Sequence, residues 1–440
     1  MVDTLKPLNV LITASRGIGH VNASMGIGKL MVDRGHNVMF IHYPEHKSLA
    51  ENQGIKFIDI FDYQEADDPL EKTHSGPFSD SSLETFDNQK KYSPKDLMRG
   101  GGGRGRGGNR GGGGPRGGGR GPMFSGENAA IENAMKVIKP DVVLGDYRWV
   151  MGFMTKCPCP FIPVMSNGPV SLYNGPPIGS GLSVFDAPEK WAEARENGND
   201  MMKEMAIRVA EGKLRSWTHA EYLGIYIFPE ALDYKELGPV NKNWVRLDQS
   251  IRLPELQDFE LPDKLKDKPG KLVYVSMGTN ASNDPTLIKM LVDACAKSPN
   301  RFIFALGRNG HMIQLPENVW GDNYVKQLSI IPKVDLVITH CGSNSLVESL
   351  YFGKPMVAIP IFDDQLDNGQ RVADLKLGKK INLSDFTDEK LVQAIDQVLG
   401  DQQIHDNVIK VSEEMKKSQS SDKIPVYIEY VARNKKSPFE

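Results

Sequence analysis

At 440 residues the chain exceeds one ordinary hydrophobic core, and at roughly 150 residues per domain it should build two or three units. Its 53 basic and 56 acidic side chains leave a formal net charge of −3, so composition gives no reason to expect a nucleic acid or an anionic membrane as partner. No stretch reaches ~18 uninterrupted apolar residues, and the four cysteines, Cys157, Cys159, Cys295 and Cys341, suggest no disulfide framework.

The opening MVDTLKPLNVLITAS runs straight into a strand-like segment with no basic-then-apolar leader, which leads us to expect a soluble, cytoplasmic protein. Asn9 to Thr13 reads as a strand, Val21 to Arg34 as an amphipathic helix stopped by Gly35, and Asn37 to His42 and Ile55 to Ile60 as further strands. Residues 100–122, GGGGRGRGGNRGGGGPRGGGRGP, contain only Gly, Arg, Asn and Pro, so they cannot bury apolar area and are predicted to be a disordered loop. Such tracts bind RNA mainly when aromatics accompany the arginines, and none does here. Glu127 to Ile138 has helical spacing, and Asp141 to Gly145 and Phe161 to Met165 are strand-like. Ala187 to His219 is a long, mostly polar helical region before a strand at Gly224 to Phe228. Cys157-Pro-Cys159 is half a metal site at most, because no second Cys or His pair at ligand spacing accompanies it, and no metal is expected.

Alternating strands and helices imply a parallel sheet in an amino-terminal unit spanning residues 1–235. Residues 236–270 are rich in Pro, Asp and Lys without a sustained period and read as a linker. A second βα series occupies residues 271–410, including a short strand from Tyr324 to Lys326 and a helix from Asn368, and residues 411–440 are helical and expected to pack back on the first domain. Two Rossmann-like, doubly wound domains facing across a cleft is the economical α/β architecture.

Two corners carry chemistry. In the second domain the buried-type strand Asp335 to Thr339 is broken by His340-Cys-Gly342, and a helix should start at Ser343, with Ser345 and Glu348 as an S-x-x-E capping pair. A strand, a glycine corner and a helix amino terminus together present unpaired amides to an anion, here a phosphate. In the first domain, Ser15-Arg-Gly-Ile-Gly19-His20 looks like the nucleotide turn of short-chain dehydrogenases. Those enzymes need a Tyr-x-x-x-Lys pair well downstream, and the only such spacing, Tyr43 to Lys47, falls directly after the second strand, too early to reach a nicotinamide. His20 sits at the carboxyl end of the first strand and Asp146 at the equivalent end of a neighbouring one, so the carboxylate could hold the imidazole while its other nitrogen takes a hydroxyl proton. Residue types alone leave open that His20 packs at a helix start and that Asp146 caps the next helix.

In its run of His340-Cys-Gly-Ser-Asn-Ser345, Glu348, Gly353-Lys-Pro355, Ile359-Pro360 and Asp364-Gln365, the chain resembles the UDP-glycosyltransferase family. The resemblance implies the two-domain GT-B fold, a UDP-sugar as co-substrate with no other cofactor, and inverting transfer to a hydroxyl. It implies that His340 and the amides around Gly342, Asn344 and Ser345 hold the diphosphate, with Ser276, Gly278 and Thr279 as its second wall. Glu348 would accept the ribose hydroxyls, Val325 and Gln327 would contact uracil, and Asp364 with Gln365 would bind the sugar, Gln365 leaning towards glucose. His20 would be the base and Asp146 its support. The chain departs from the family pattern at Tyr324, where a tryptophan usually stacks on the base, at Lys326 and Ala23, where prolines are common, and at Cys341, where the family carries glycine.

Tyr147, Trp149, Met151, Phe153, Met165, Asn167 and Tyr173 follow strand ends and suggest an apolar, aromatic pocket for a small lipophilic hydroxylated acceptor such as a phenol or flavonoid, as in detoxifying conjugation, although the same residues could be core. Two alternatives remain at this stage: a UDP-sugar epimerase of the same fold, and a non-catalytic sugar-nucleotide or RNA-binding protein that uses the Arg-Gly tract.

Overall fold

The computed structural model describes residues 6–65, 125–148, 150–197, 216, 218–251 and 258–440. The Arg-Gly tract, Trp149 and most of the second half of the polar helical region predicted over 187–219 lie outside the described residues. Runs of Val, Ile and Leu become strands because helices cover both faces of each sheet. β1 (Asn9–Ala14), β2 (Asn37–His42), β3 (Lys56–Asp59), β4 (Val142–Asp146), β5 (Phe161–Met165), β6 (Gly224–Ile227) and β7 (Trp244–Leu247) form one sheet in the order β3-β2-β1-β4-β5-β6-β7. A second sheet has the order β10-β9-β8-β11-β12-β13, from β8 (Leu272–Ser276), β9 (Arg301–Ala305), β10 (Val319–Asp322), β11 (Leu336–Thr339), β12 (Met356–Ala358) and β13 (Gly378–Lys380). Neighbouring strands run parallel in both sheets. In each, the strand order reverses beside the first strand, between β1 and β4 and between β8 and β11, which is where such sheets open a ligand crevice.

The helices that matter below are α1 (Ile18–Asp33), α2 (Ser125–Ile138), α3 (Pro285–Ala296), α4 (Ser343–Tyr351), α5 (Asp364–Asp374), α6 (Asp388–Gly400), α7 (Gln402–Lys417) and α8 (Ser420–Asn434). On the second sheet, Leu287, Ile288 and Leu291 of α3 and Leu391, Ile395 and Val398 of α6 share one apolar cluster with the strands, whereas Val408, Val411 and Met415 of α7 join Leu346 and Leu350 of α4 in another. Ile424, Ile428 and Val431 of α8 instead join Val10, Ile12 and Val21 in the first domain's core. Glu429 of α8 fixes this return by accepting from Arg34 Nε at 2.5 Å and pairing with His36 Nε2 at 2.9 Å. No described helix is long and apolar enough to cross a membrane.

Three local expectations are corrected. Trp244–Leu247, placed by sequence in the linker, is β7 and pairs with β6. Its ladder was masked by the Pro, Asp and Lys around it, and Gly224 makes room for it, since a Cβ there would lie 2.6 Å from the Trp244 ring. Tyr324 to Lys326 is not a strand: Val319–Asp322 carries the pairing with β9, and the chain leaves the sheet before Tyr324. The helix expected from Asn368 begins earlier, at Asp364.

Candidate active site

Register alone brings the first histidine to an acid. Ala14 of β1 stands opposite Asp146 of β4, and the Ser15 amide donates to the Asp146 carbonyl at 2.9 Å, so the chain turns directly over the end of β4. Gly17 is the N-cap of α1, without a side-chain cap, and His20 falls in the first turn of the helix. His20 Nδ1 then lies 3.0 Å from Asp146 Oδ1 and 3.0 Å from Ser166 Oγ, the latter delivered by β5, whose Val164 is opposite Asp146. The Asp146 side chain is 2% exposed and its Oδ2 has no hydrogen bond among the described residues, which makes the imidazole the main compensation for a buried charge. Burial alone would drive His20 towards its neutral form, but the charge and hydrogen bond of Asp146 outweigh it, with help from Asp364, and raise the pKa above the ordinary histidine value. With Nδ1 turned to the acid, Nε2 is the nitrogen left for a substrate proton, and it has no protein hydrogen bond among the described residues.

The second domain repeats the construction with different chemistry. Ser276 of β8 stands opposite Thr339 of β11, so the corner after β8 meets the corner after β11. There the His340 ring sits between two glycines: a Cβ on Gly278, whose φ is +74°, or on Gly342 would come within 2.5 Å of His340 Nε2. Burial pushes the His340 pKa down to about 4, and no carboxylate opposes the shift. Cys341 adopts φ +65°, the left-handed conformation that a glycine takes at little cost, and its amide is held by Thr339 Oγ1 at 3.1 Å. Gly342 is the N-cap of α4 and supplies no side-chain cap, and the first intrahelical bond runs from the Leu346 amide to the Gly342 carbonyl at 3.0 Å. The amides of Ser343, Asn344 and Ser345 are therefore unpaired among the described residues, at the positive end of the helix dipole.

The predicted Ser345–Glu348 capping box does not form, because Ser345 lies inside the first turn and not at the N-cap. Glu348 is buried and receives Gln327 Nε2 at 2.5 Å, while Gln327 Oε1 accepts from Tyr274 at 3.0 Å. Val325 is buried in the core, whereas its neighbour Tyr324 is 81% exposed. Ser276 is buried, with Oγ accepting the Gly278 amide at 3.4 Å, and Thr279 is exposed in the short turn that follows. Gln365 Oε1 accepts the amides of Ile361 and Phe362 at 3.1 and 3.3 Å, so that side chain holds the turn before α5. Asp364 Oδ2 accepts from Ser343 Oγ at 2.9 Å and from Asn368 Nδ2 at 3.3 Å.

The two corners touch. Asn344 Nδ2 donates to the Gly19 carbonyl at 3.0 Å, so the start of α4 is bonded to the first turn of α1, which carries His20. Residues 263–439 match the family described as UDP-glucoronosyl and UDP-glucosyl transferase. The carboxyl-terminal domain belongs to the UDP-glycosyltransferase family. The chain is 30% identical over 184 residues to the uncharacterized UDP-glucosyltransferase YdhE of Bacillus subtilis, covering 41% of this chain and 46% of that protein. It is 28% identical over 231 residues to UDP-glucuronosyltransferase 1A4 of Oryctolagus cuniculus, covering 49% and 41% respectively, so it spans less than half of either curated relative. Among solved structures, the glycotransferase of kitacinnamycin superposes with a TM-score of 0.63 at 17% identity over 96% of this chain and 98% of that one. The calicheamicin glycosyltransferase CalG4 gives 0.61 at 17% identity over 98% and 100%. These likenesses extend the GT-B fold to the whole chain.

Within the family's motif the structure gathers His340, Gly342, Asn344, Ser345, Ser276, Gly278, Glu348 and Gln327 around the β8 and β11 corners, and Asp364 beside them through Ser343. The residues read as either an acceptor pocket or core are divided: Tyr173 and Tyr147 each line a separate cavity, and the buried Met151, Phe153 and Met165 are core. Met151 and Phe153 are buried in the apolar cluster with Leu11 and Ile131, Met165 belongs to another, and Tyr147 is tied to Thr13 at 2.7 Å and Glu127 at 3.0 Å. Tyr173 donates to Asp233 at 2.5 Å, and the Cys157 and Cys159 sulfurs pack 3.8 Å apart against the same cluster as Phe153. Among the described residues no group of three or more His, Cys, Asp or Glu side chains could hold a metal.

Sequence reasoning missed Ser166 beside His20, and it missed the buried polar face of α5. The polar residues Asp364, Asp367, Asn368 and Arg371 recur at i, i+3, i+4 and i+7, an amphipathic stripe whose polar face is largely buried. Asp367 accepts the amides of Gly179 and Gly181 at 2.6 and 2.9 Å, and Arg371, only 2% exposed, donates to the carbonyls of Leu232 and Asp233 at 2.8 and 2.7 Å and pairs with Glu236. The partners of this polar face thus lie at residues 179–181 and 232–236, and the signal for it was the spacing itself.

Proposed function

We propose that the chain is an inverting glycosyltransferase that moves a sugar, glucose in our reading, from a UDP-sugar to a hydroxyl of a small lipophilic acceptor such as a phenol or flavonoid. The observation that carries this reading is the pairing of two unlike corners: a base whose Nε2 is free, bonded through Asn344 and Gly19 to a helix start whose amides are free. His20 Nε2 takes the acceptor proton while Asp146 steadies the imidazolium at Nδ1. The acceptor oxygen attacks the anomeric carbon from the side of His20, the carbon–oxygen bond to the β-phosphate breaks, and the configuration inverts. The leaving diphosphate gathers its charge against the amides of Ser343, Asn344 and Ser345 and against His340, donors that are already in place and need no reorganisation. Glu348 and Gln327 would hold the ribose and the base, and Asp364 and Gln365 the sugar hydroxyls. The leaving-group charge can be met in this way without a cofactor.

The test is a matrix of UDP-sugars against a phenolic panel, read by mass and by the anomeric coupling constant of the product. The expected result is a hexose adduct with UDP-glucose as the preferred donor and inverted configuration. UDP-sugar turned into another UDP-sugar without any acceptor would instead establish an epimerase. A chain that binds UDP and transfers to no acceptor would sink the reading.

A further inference from the structure

Asp364 is placed in the donor domain by the fold, yet part of its environment comes from the other side of the cleft. Its Oδ2 receives the Gly168 amide, from the loop after β5, at 3.4 Å. The same oxygen receives Asn368 Nδ2 at 3.3 Å, and that amide also donates to the Cys341 carbonyl at 3.1 Å and contacts Ser343 Oγ at 3.2 Å. Asn368 is fully buried and bridges the phosphate turn to Asp364. Two of its partners, a carbonyl and a carboxylate, are acceptors only, so the NH2 group must face them and Oδ1 must point the other way. Oδ1 has no hydrogen bond among the described residues and lies 2.7 Å from where a Cβ on residue 168 would stand. Only a glycine leaves Asn368 where it is.

A second contact acts on the same turn. Asp363, immediately before Asp364, is held at φ +61° and ψ −142°, a region that non-glycine residues rarely adopt, and its carboxylate pairs with Arg148 of the first domain. The backbone entering Asp364 is strained, and a side chain from across the cleft fastens it.

We propose that the first domain completes the donor-sugar site, with Gly168 acting as a positioning residue that sets Asp364 through Asn368, so that recognition of the hexose, unlike that of UDP, depends on both domains. This rests on the UDP-sugar reading above and deepens it. Diphosphate recognition is built from α4, His340 and Gly278, all within the second domain, and has no need of Gly168. Hexose recognition through Asp364 does.

The experiment compares calorimetric affinities for UDP and for UDP-glucose in wild type, Gly168→Ala, Asn368→Ala and the double variant. Gly168 has φ −53° and ψ 133°, which alanine adopts freely, so the substitution adds only the Cβ. Gly168→Ala is expected to leave UDP affinity within about twofold and to weaken UDP-glucose about tenfold, raising the donor KM and leaving the acceptor KM unchanged. Asn368→Ala also removes the bonds to Cys341 and Ser343 in the phosphate turn, so it should weaken UDP as well as UDP-glucose, and the double variant should resemble Asn368→Ala alone, because the added Cβ no longer has an amide to displace. Equal losses for UDP and UDP-glucose in Gly168→Ala, or losses that add in the double variant, overturn the proposal while leaving the transferase reading intact. A wild-type chain that binds neither ligand overturns both.

Discussion

His20 and His340 occupy corresponding places, each at the corner after a central strand of its own parallel sheet, and the protein uses them in opposite ways. His20 faces Asp146 and is held above its ordinary pKa although burial pulls the other way, whereas His340 is walled by Gly278 and Gly342, has no acid beside it, and is pushed down to about 4. One ring is ready to gain a proton, and the other stays neutral near pH 7 and can only share hydrogen bonds. The fold supplies the place; the neighbour on the adjacent strand supplies the chemistry. A base must exchange protons with a substrate, while a phosphate site profits from donors that keep their protonation state as the ligand comes and goes.

The largest effect that separates the two corners should come from the base. His20→Ala is expected to lower kcat by roughly 10²–10⁴-fold, the span assigned to a positioned general base, while calorimetry finds UDP affinity unchanged. Normal turnover in that variant would move the chemistry elsewhere. Asp146→Asn tests the neighbour. In the proposed role as base, His20 must be neutral to accept a proton, so kcat/KM should rise with pH through its pKa, with an acid limb above the ordinary value of about 6.5. Without the carboxylate, burial is the largest remaining influence, so the limb should shift to lower pH while kcat falls about 10–100-fold. A limb that stays in place would mean that Asp146 does not set the titration of His20.

Both corners were legible in the sequence for the same reason. A buried strand followed by glycine and a helix start is a local pattern, and Ser276 opposite Thr339 or Ala14 opposite Asp146 follows once the sheets are parallel. What escaped was non-local. Nothing in the chain says that Gly168 will meet Asn368, 200 positions later, or that Arg371 will reach the carbonyls of Leu232 and Asp233. Tyr147, Met151 and Phe153 stayed undecided because an apolar side chain after a strand end reads alike whether it lines a pocket or covers a helix, and here they pack against α2, sharing a cluster with Ile131 and Met135. Cys341 was a departure from the family's glycine whose meaning appeared only in the backbone: the position is left-handed.

The glycine wall of the other corner can be broken without touching the base. Gly278→Ala places a Cβ 2.5 Å from His340 Nε2 at a residue with φ +74°, so both the ring and the turn must yield. UDP affinity should weaken about tenfold, with the acid limb of the pH profile where wild type has it. A limb that moved with this substitution would show that the two histidines are not independent.

The smallest expected effect lies at the rim, and it separates base recognition from phosphate recognition within the donor half. Tyr324 is 81% exposed and has little packing to hold it, yet it stands where the family usually presents a tryptophan to the base. A stacked base contributes about 1–3 kcal/mol to binding when the aromatic is removed, so Tyr324→Ala should weaken UDP by about fivefold or more and leave inorganic pyrophosphate unaffected. Tyr324→Trp enlarges the platform without changing any donor around His340, and UDP should tighten about two- to fivefold, a gain below ~1 kcal/mol. Because the ring is exposed, neither substitution should lower the melting temperature. UDP and pyrophosphate responding equally to both changes would place the uracil away from Tyr324 and leave Val325 and Gln327 as its neighbours.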